Sequence, residues 1–307
     1  TLVHRFDLDT DGINFEASGK VPGTILNQFS MDEHEDHFRI ATTINNWVDP
    51  ETNNLYVLDM DLDQTGAVEG IAPNESIYST RFMGDRGFMV TFEKIDPLFA
   101  FDLSDPNNPV LVGELKIPGY SDYLHPYDEN HLIGFGKDTE DPTAEQAALW
   151  GQNFSWYQGM KIAIFDVTNL TSPEEVFSVG IGDRGTESPL LYDHHALLFD
   201  AARDLLAFPV TVATVADENA PPETYGETTF QGAYVYNLNL TDGFTLNGTA
   251  THYAEGELDG GYWYGYDFEK DIFRVLYIGD TLYTVSTGYI KASDLETVEE
   301  EALLVLE

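Results

Sequence analysis

Eight histidines, 54 acidic residues and no cysteine confine any metal or acid–base chemistry in this 307-residue chain to imidazole and carboxylate. The histidines fall in groups. His34 and His37 lie in the run DEHEDH, His125 and His131 flank PYDEN, His194 and His195 follow Asp193, and His252 ends a hydrophobic stretch. His125, Asp193 and His194 together would suit zinc or another borderline metal, or general acid–base work near neutral pH. The plainer reading makes them turn residues and hydrogen-bonded spacers, because no H-x-x-x-H or H-E-x-x-H spacing occurs. Asp7, Asp9, Asp11 and Gly12 read D-x-D-x-D-G, the opening of a calcium loop that would offer hard oxygens. The closing acid is missing, since Ser18 and Phe15 occupy the positions where one is needed. A hairpin turn through DTDG accounts for the same residues. The series Asp59, Asp61, Asp63 shares one strand face without a following glycine turn. Calcium, as a structural ion, is the cofactor these carboxylate series raise.

A third set of residues would act by stacking. Tyr262, Trp263, Tyr264 and Tyr266 form one aromatic cluster, and Trp150 and Trp156 another. Aromatics on loops stack on sugars or anchor protein partners, and equally pack a loop onto its scaffold. No G-x-S-x-G elbow, Walker loop or G-x-G-x-x-G is present, so neither a serine triad nor a nucleotide cofactor is indicated.

The formal net charge of −40 is spread along the whole chain. It repels nucleic-acid phosphates and anionic lipid heads, and attracts cations and basic partners. Solubility, or life in high salt, explains it without a specific ion site. Asn-x-Ser/Thr sequons at Asn74, Asn153, Asn169, Asn239 and Asn247 are compatible with an extracellular protein. No apolar run reaches membrane-spanning length, and no membrane insertion is expected. The first residue is Thr, which reads as a mature or truncated portion of a longer protein.

The elements that must carry these residues come as a repeat. One phrase is strand, short polar turn, strand: IYSTRFMGDRGFMVTF, DYLHPYDENHLIGFG, FRVLYIGDTLYTVS, and more loosely FSMDEHEDHFRIATT and HHALLFDAARDLLAFPV. The other is an alternating strand ending in Asp or Asn, a turn, and a further strand: LYVLDMDLDQTGAVEGI, LFAFDLSDPNNPVLVGELKI, KIAIFDVTNLTSPEEVFSVGI, AYVYNLNLTDGFTLNGTATH and YIKASDLETVEEEALLVLE. One of each makes a four-stranded antiparallel unit, the blade of a β-propeller. The expected fold is all-β, with a half-blade at 1–23 and blades at 24–75, 76–119, 120–183, 184–255 and 270–307. Insertions fall at 137–160, where AEQAALW predicts a short helix, and at 211–230 and 254–270, both read as loops. The core should include Val57, Phe82, Val90, Phe99, Ile133, Ile164, Phe165, Val235 and Tyr283. A lone half-blade leaves a sheet edge that further N-terminal blades would cover.

The phrases HRFDL, ASGKVPG, NQFSMDEH, YVLDM, IYSTRFMGD, VTFEKIDPLFAFDLSDPNNP, GELKIPGYSDYLHPYDENHLIGFG, FDVTN, QGAYVY and YIGDTLYTVS resemble the C-terminal part of a secreted β-propeller family of archaea and bacteria, distantly related to WD40 repeats. The resemblance implies further blades upstream, an extracellular or cell-surface location, and no catalytic residues to carry over. His195 departs from it, at a place where that family more usually has Lys. The function expected is a binding or scaffold domain that recognises protein or carbohydrate through loops on one face. The alternatives are a metal-assisted hydrolase or lyase and a calcium-stabilised surface domain.

Overall fold

The computed structural model describes residues 1–10, 12–45, 50–92, 96–150, 155–217, 219–258 and 267–306. The architecture is an all-β propeller of five four-stranded antiparallel sheets and one two-stranded half-blade. The half-blade is the hairpin β1 (Leu2–Asp9) and β2 (Gly12–Lys20). The first full sheet holds β3 (Met31–His34), β4 (His37–Ile44), β5 (Thr52–Leu58) and β6 (Gln64–Ile71). The second holds β7 (Ser76–Met83), β8 (Arg86–Phe92), β9 (Asp96–Asp102) and β10 (Val110–Ile117). The third holds β11 (Tyr120–Pro126), β12 (His131–Glu140), β13 (Trp156–Asp166) and β14 (Glu174–Ile181), with helix α1 (Ala144–Trp150) between β12 and β13. The fourth holds β15 (Leu198–Asp200), β16 (Leu205–Thr214), β17 (Glu227–Asn239) and β18 (Gly243–Ala250). The fifth holds β19 (Arg274–Ile278), β20 (Thr281–Val285), β21 (Tyr289–Asp294) and β22 (Glu300–Val305). Strands hydrogen-bond in chain order within every sheet, as short turns between consecutive strands require.

The chain divides into two compact units, Thr1–Ile133 with Phe165–Glu175, and Gly134–Ile164 with Val176–Glu307. In the first, Ala41, Leu55, Val57, Met89, Phe99 and Phe101 pack between the first two full sheets. In the second, Leu205, Ala207, Ala233, Val235 and Ala250 of the fourth sheet meet Val275, Leu282 and Val298 of the fifth. Of the residues expected in the core, Val57, Phe82, Val90, Phe99, Ile133, Ile164, Phe165 and Val235 are buried. Tyr283 is only half-buried, because it lies on the face of the fifth sheet turned away from the fourth.

The outermost strands share a device that alternation alone does not reveal. Each described register holds a bulge, one extra residue, followed by a small side chain. Glu16 precedes Ala17 in β2, Thr65 precedes Gly66 in β6, Val112 precedes Gly113 in β10, Asn247 precedes Gly248 in β18, and Glu301 precedes Ala302 in β22. The turn between the third and fourth strands of the next sheet fills the space left. A Cβ on Gly66 would stand 2.5 Å from Pro109 Cδ, one on Gly113 1.9 Å from the Leu170 carbonyl, and one on Gly248 2.9 Å from Val298 Cβ. Ala17 is buried in one cluster with Leu62 of the β5–β6 turn. Aligning Pro173–Phe177 with Pro109–Gly113 puts a phenylalanine in the small residue's place in β14. There the following turn supplies the glycine instead: Gly243, at φ +71°, where a Cβ would lie 2.6 Å from Phe177 Cδ1. Size is exchanged between the two sides of the contact, and the fit is kept.

Candidate functional site

The two insertions of the second unit interlock. Both leave their sheets between the second and third strands. Helix α1 starts at a capping box: Thr143 N donates to Gln146 Oε1 (3.0 Å), and Gln146 N donates to Thr143 Oγ1 (3.3 Å). Gln146 is buried, and its side chain does more than cap. Its Oε1 accepts from Trp156 Nε1 at 3.2 Å, and its Nε2 donates to Glu223 Oε2 at 2.5 Å in the other insertion. Gln158 Nε2 adds a bond to the Pro222 carbonyl at 2.9 Å. The 211–230 insertion is partly a lengthened hairpin rather than a loop. Its ladder pairs Thr211 with Gln231 and runs on to Thr214 opposite Glu227, as β-branched Thr211, Val212, Thr228 and Thr229 favour.

Arg184 is the cation at the centre of this face. Its guanidinium lies over Tyr225 at 4.3 Å and Trp156 at 5.0 Å from the ring centroids. Its Nη1 donates to the Tyr157 carbonyl (2.8 Å), and its Nη2 to the Tyr225 hydroxyl (3.1 Å). Lys137, buried in β12, donates to the Thr186 carbonyl and pairs with Glu187 at 2.7 Å, fixing the segment that carries Arg184. In a chain with 14 basic residues against 54 acids, two are spent on this one turn. The result is a hydrogen-bonded patch in which Tyr225 is 68 % exposed, and Leu149 of the tethered helix is 71 % exposed. Tyr262, Trp263, Tyr264 and Tyr266 lie outside the described residues, and Trp150 is the last residue of α1.

Among the described residues, two clusters hold groups able to ligate a metal ion, with donor atoms within 4.8 Å of one another: Asp193, His194 and His195, and His34, Glu35 and Asp85. A turn of 3-10 helix begins after Asp193, whose Oδ1 accepts from the backbone of His195 at 3.0 Å and faces its Nδ1 at the same distance. Arg274 Nη2 donates to Oδ2 at 2.6 Å, and the two imidazoles lie 3.9 Å apart. Arg274 holds the Asp193 carboxyl at about 2, below the usual carboxylate range, with the His195 bonds adding to the effect. A cation entering here must displace Arg274 or share its carboxylate. Arg274→Gln is therefore expected to return the Asp193 pKa toward 3.8, as read by carboxyl-carbon NMR titration, and an unmoved pKa would refute the assignment.

In the first unit, Glu35 and Asp36 both adopt left-handed backbone (φ 46° and 59°), so the tight turn sets His34 opposite His37. His34 Nε2 meets Asp85 Oδ1 at 3.2 Å. His125, in β11, has its Nδ1 3.0 Å from the Tyr123 hydroxyl, and belongs to neither cluster. His252 is buried between Ser286 Oγ and Thr284 Oγ1. For calcium, Asp11 lies outside the described residues. Asp7 pairs with Asn14 in the β1–β2 ladder, and Asp9 accepts from Gly12 N (3.0 Å) and Asn14 Nδ2 (3.3 Å), as in a hairpin turn. The two clusters supply imidazole as well as carboxylate, a donor set without preference for calcium.

Sequence reasoning did not find Arg184, Tyr225 or Gln146. The Thr-x-x-Gln spacing at Thr143 was a legible signal for the helix start. Nothing in the spacing joins Gln146 to Glu223 or Arg184 to Tyr225.

A family model described as the Beta propeller domain matches residues 1–298. An uncharacterized protein of Methanocaldococcus jannaschii is 41 % identical over 212 residues, covering 68 % of this chain and 30 % of that protein. One of Archaeoglobus fulgidus is 39 % identical over 209 residues, covering 68 % and 29 %. The chain's match thus spans under a third of these relatives' length. Among solved structures, BamB from Moraxella catarrhalis is similar at 12 % identity with a TM-score of 0.46, covering 99 % of this chain and 77 % of that one. A eukaryotic initiation factor is similar at 10 % identity with the same TM-score, covering 99 % and 62 %. No described helix is long and apolar enough to cross a membrane. With the sheet order and the family match over nearly its whole length, the chain belongs to the beta-propeller domain family.

Proposed function

We propose that this chain is an extracellular scaffold domain that binds a protein partner through the insertion face of its second unit. The observation that carries this reading is the Trp156–Arg184–Tyr225 stack, held by Gln146 and Lys137, which presents Tyr225 and Leu149 on an immobilised base. Rigid aromatic and arginine anchors are the residue types that dominate protein interfaces, and little ordering entropy is lost when such a patch is already fixed. Both aromatic rings already carry Arg184 on one face, which favours an edge-and-hydroxyl contact with protein over flat stacking on sugar. The surrounding acidity favours a partner with basic character. Further blades of the same polypeptide are the other expected partner, completing the ring beyond these sheets.

The test is affinity capture from cell-surface extract with wild type and Tyr225→Ala, alongside a glycan array. A protein should be retained by the wild type and lost at least tenfold with Tyr225→Ala at unchanged melting temperature. Glycan binding that falls with the same substitution would replace the protein reading with a carbohydrate one. A partner bound equally by both forms would overturn the assignment of this face.

A second reading, metal-assisted hydrolysis, is favoured only by the two His–carboxylate clusters. Metal analysis of the purified protein, compared with the His34→Ala and His194→Ala variants, decides it: stoichiometric metal lost in either variant supports it, and metal absent from the wild type or kept by both overturns it.

A further inference from the structure

We infer that the outer face of the fifth sheet is a socket for one more propeller sheet of the same polypeptide, and that Ala302 receives the turn between that sheet's third and fourth strands. This rests on the reading that further blades complete the ring, and it names where they dock.

The inference starts from the repeated contact between consecutive sheets. Next to the small residue after the bulge, the following sheet's turn closes in: Leu62 shares a buried cluster with Ala17, Pro109 faces Gly66, the Leu170 carbonyl and Pro173 face Gly113, and Val298 faces Gly248. The one exception in residue size, Phe177, is matched by Gly243 on the opposite side, so the contact is maintained even where its polarity is reversed. Ala302 sits in the same place, after the extra residue Glu301 and opposite Ala292, but is exposed.

The rest of that face agrees. Pairing puts Leu276, Ile278, Tyr283, Ile290, Ala302 and Leu304 on one side of the fifth sheet. Their counterparts in the fourth sheet, Leu205, Ala207, Ala233, Val235 and Ala250, are all buried by the fifth. Leu276, Ile278 and Leu304 are instead 40 %, 67 % and 56 % exposed. A contiguous apolar sheet face of this kind marks an interaction surface. The occupant is specified by continuity with the other contacts: a four-stranded sheet whose turn between its third and fourth strands closes on Ala302, as the turns of the following sheets close on Gly66, Gly113 and Gly248. Its source follows from length, because the aligned region covers 30 % and 29 % of the archaeal relatives, leaving ample chain for further sheets.

These 307 residues hold no cysteine, and in the longer polypeptide labelling is read on the peptide that carries the introduced thiol. Ala302→Cys and Ile278→Cys each place a single thiol on this face, and maleimide labelling is timed in the 307-residue chain and in the native polypeptide at the length of its relatives. Both thiols should label freely in the short chain and at least tenfold more slowly in the long one. Ala302→Trp should lower the melting temperature of the long chain only. Protection of Ile278→Cys with Ala302→Cys still reactive and Ala302→Trp without effect would overturn the socket while leaving ring completion standing. Equal labelling of both thiols in both lengths would overturn ring completion and the socket together. Protection in the short chain that grows with its concentration would overturn the proposal in favour of a second copy.

Discussion

Replacing Gly113 with valine is expected to destabilise the protein by about 3 kcal/mol or more, near the upper end for overpacking a closed site. The first atom added, Cβ, would sit 1.9 Å from the Leu170 carbonyl oxygen and 3.2 Å from Pro173 Cδ. Neither can swing aside, since one is backbone and the other part of a proline ring, so β10 and the β13–β14 turn must separate. The turn is itself braced: Ser172 N bonds to the Asn169 carbonyl at 3.0 Å, and Asn169 Oδ1 accepts from Thr171 N at 3.2 Å. The matched control is Gly180→Ala in β14, where an added Cβ meets nothing within 4 Å. That change should stay within about 0.5 kcal/mol and lean toward stabilisation by restricting the unfolded chain. Urea melts of the three proteins decide the matter. Equal midpoints for Gly113→Val and wild type would show that the sheets are not held by this contact.

The second large effect is in acid. His252 is buried with both ring nitrogens bonded to hydroxyls, Nδ1 to Ser286 Oγ at 3.1 Å and Nε2 to Thr284 Oγ1 at 3.0 Å. Burial lowers its pKa from 6.5 to about 4, and Lys291 reinforces the shift while Thr284 and Glu300 oppose it. The folded state thus holds His252 neutral where the unfolded chain would protonate it. Its contribution is present in full above pH 6.5, and is lost progressively as the pH falls toward 4, by about 3 kcal/mol in all. Asp193 acts in a lower window, below 3.8, so the two can be separated. Stability measured by urea unfolding should fall between pH 6.5 and 4, and His252→Asn should flatten that slope whatever it does to stability at pH 8. An unchanged slope in the variant would remove His252 as its source.

The repeat was legible because strand phrases are local. Alternation and turn chemistry place β7 with β8, β9 with β10 and β19 with β20 without knowledge of any neighbour, and Ala144–Trp150 reads as a helix from composition. The post-bulge small residues were not legible, because a bulge breaks the two-residue period by which strands are read. Tyr283 alternates like a core residue, and does point at a sheet face, but periodicity cannot say whether a face has another sheet over it. The insertion site fails for a different reason. Arg184 stands in an IGDRGT turn of a composition common to surface loops. Its meaning comes from Trp156 at the start of β13 and Tyr225 in the loop before β17, both distant from it in sequence. The metal-ligating pairs show the same limit, since Asp85 reaches His34 only through the register of two sheets.

The reversed contact at Phe177 and Gly243 also bears on how such a chain can change over generations. Propellers grow by copying a blade and inserting it in tandem, and identical blades would be interchangeable. Here the third sheet projects a phenylalanine where its fellows are hollow, and only a follower with glycine in its turn accepts it. A duplicate of the second sheet inserted after the third would bring Pro109, or its neighbour in that turn, against Phe177. The joint is keyed. Recombination among the genes of this family should therefore move the third and fourth sheets as a pair, with crossovers tolerated more readily at the joints where small still meets large.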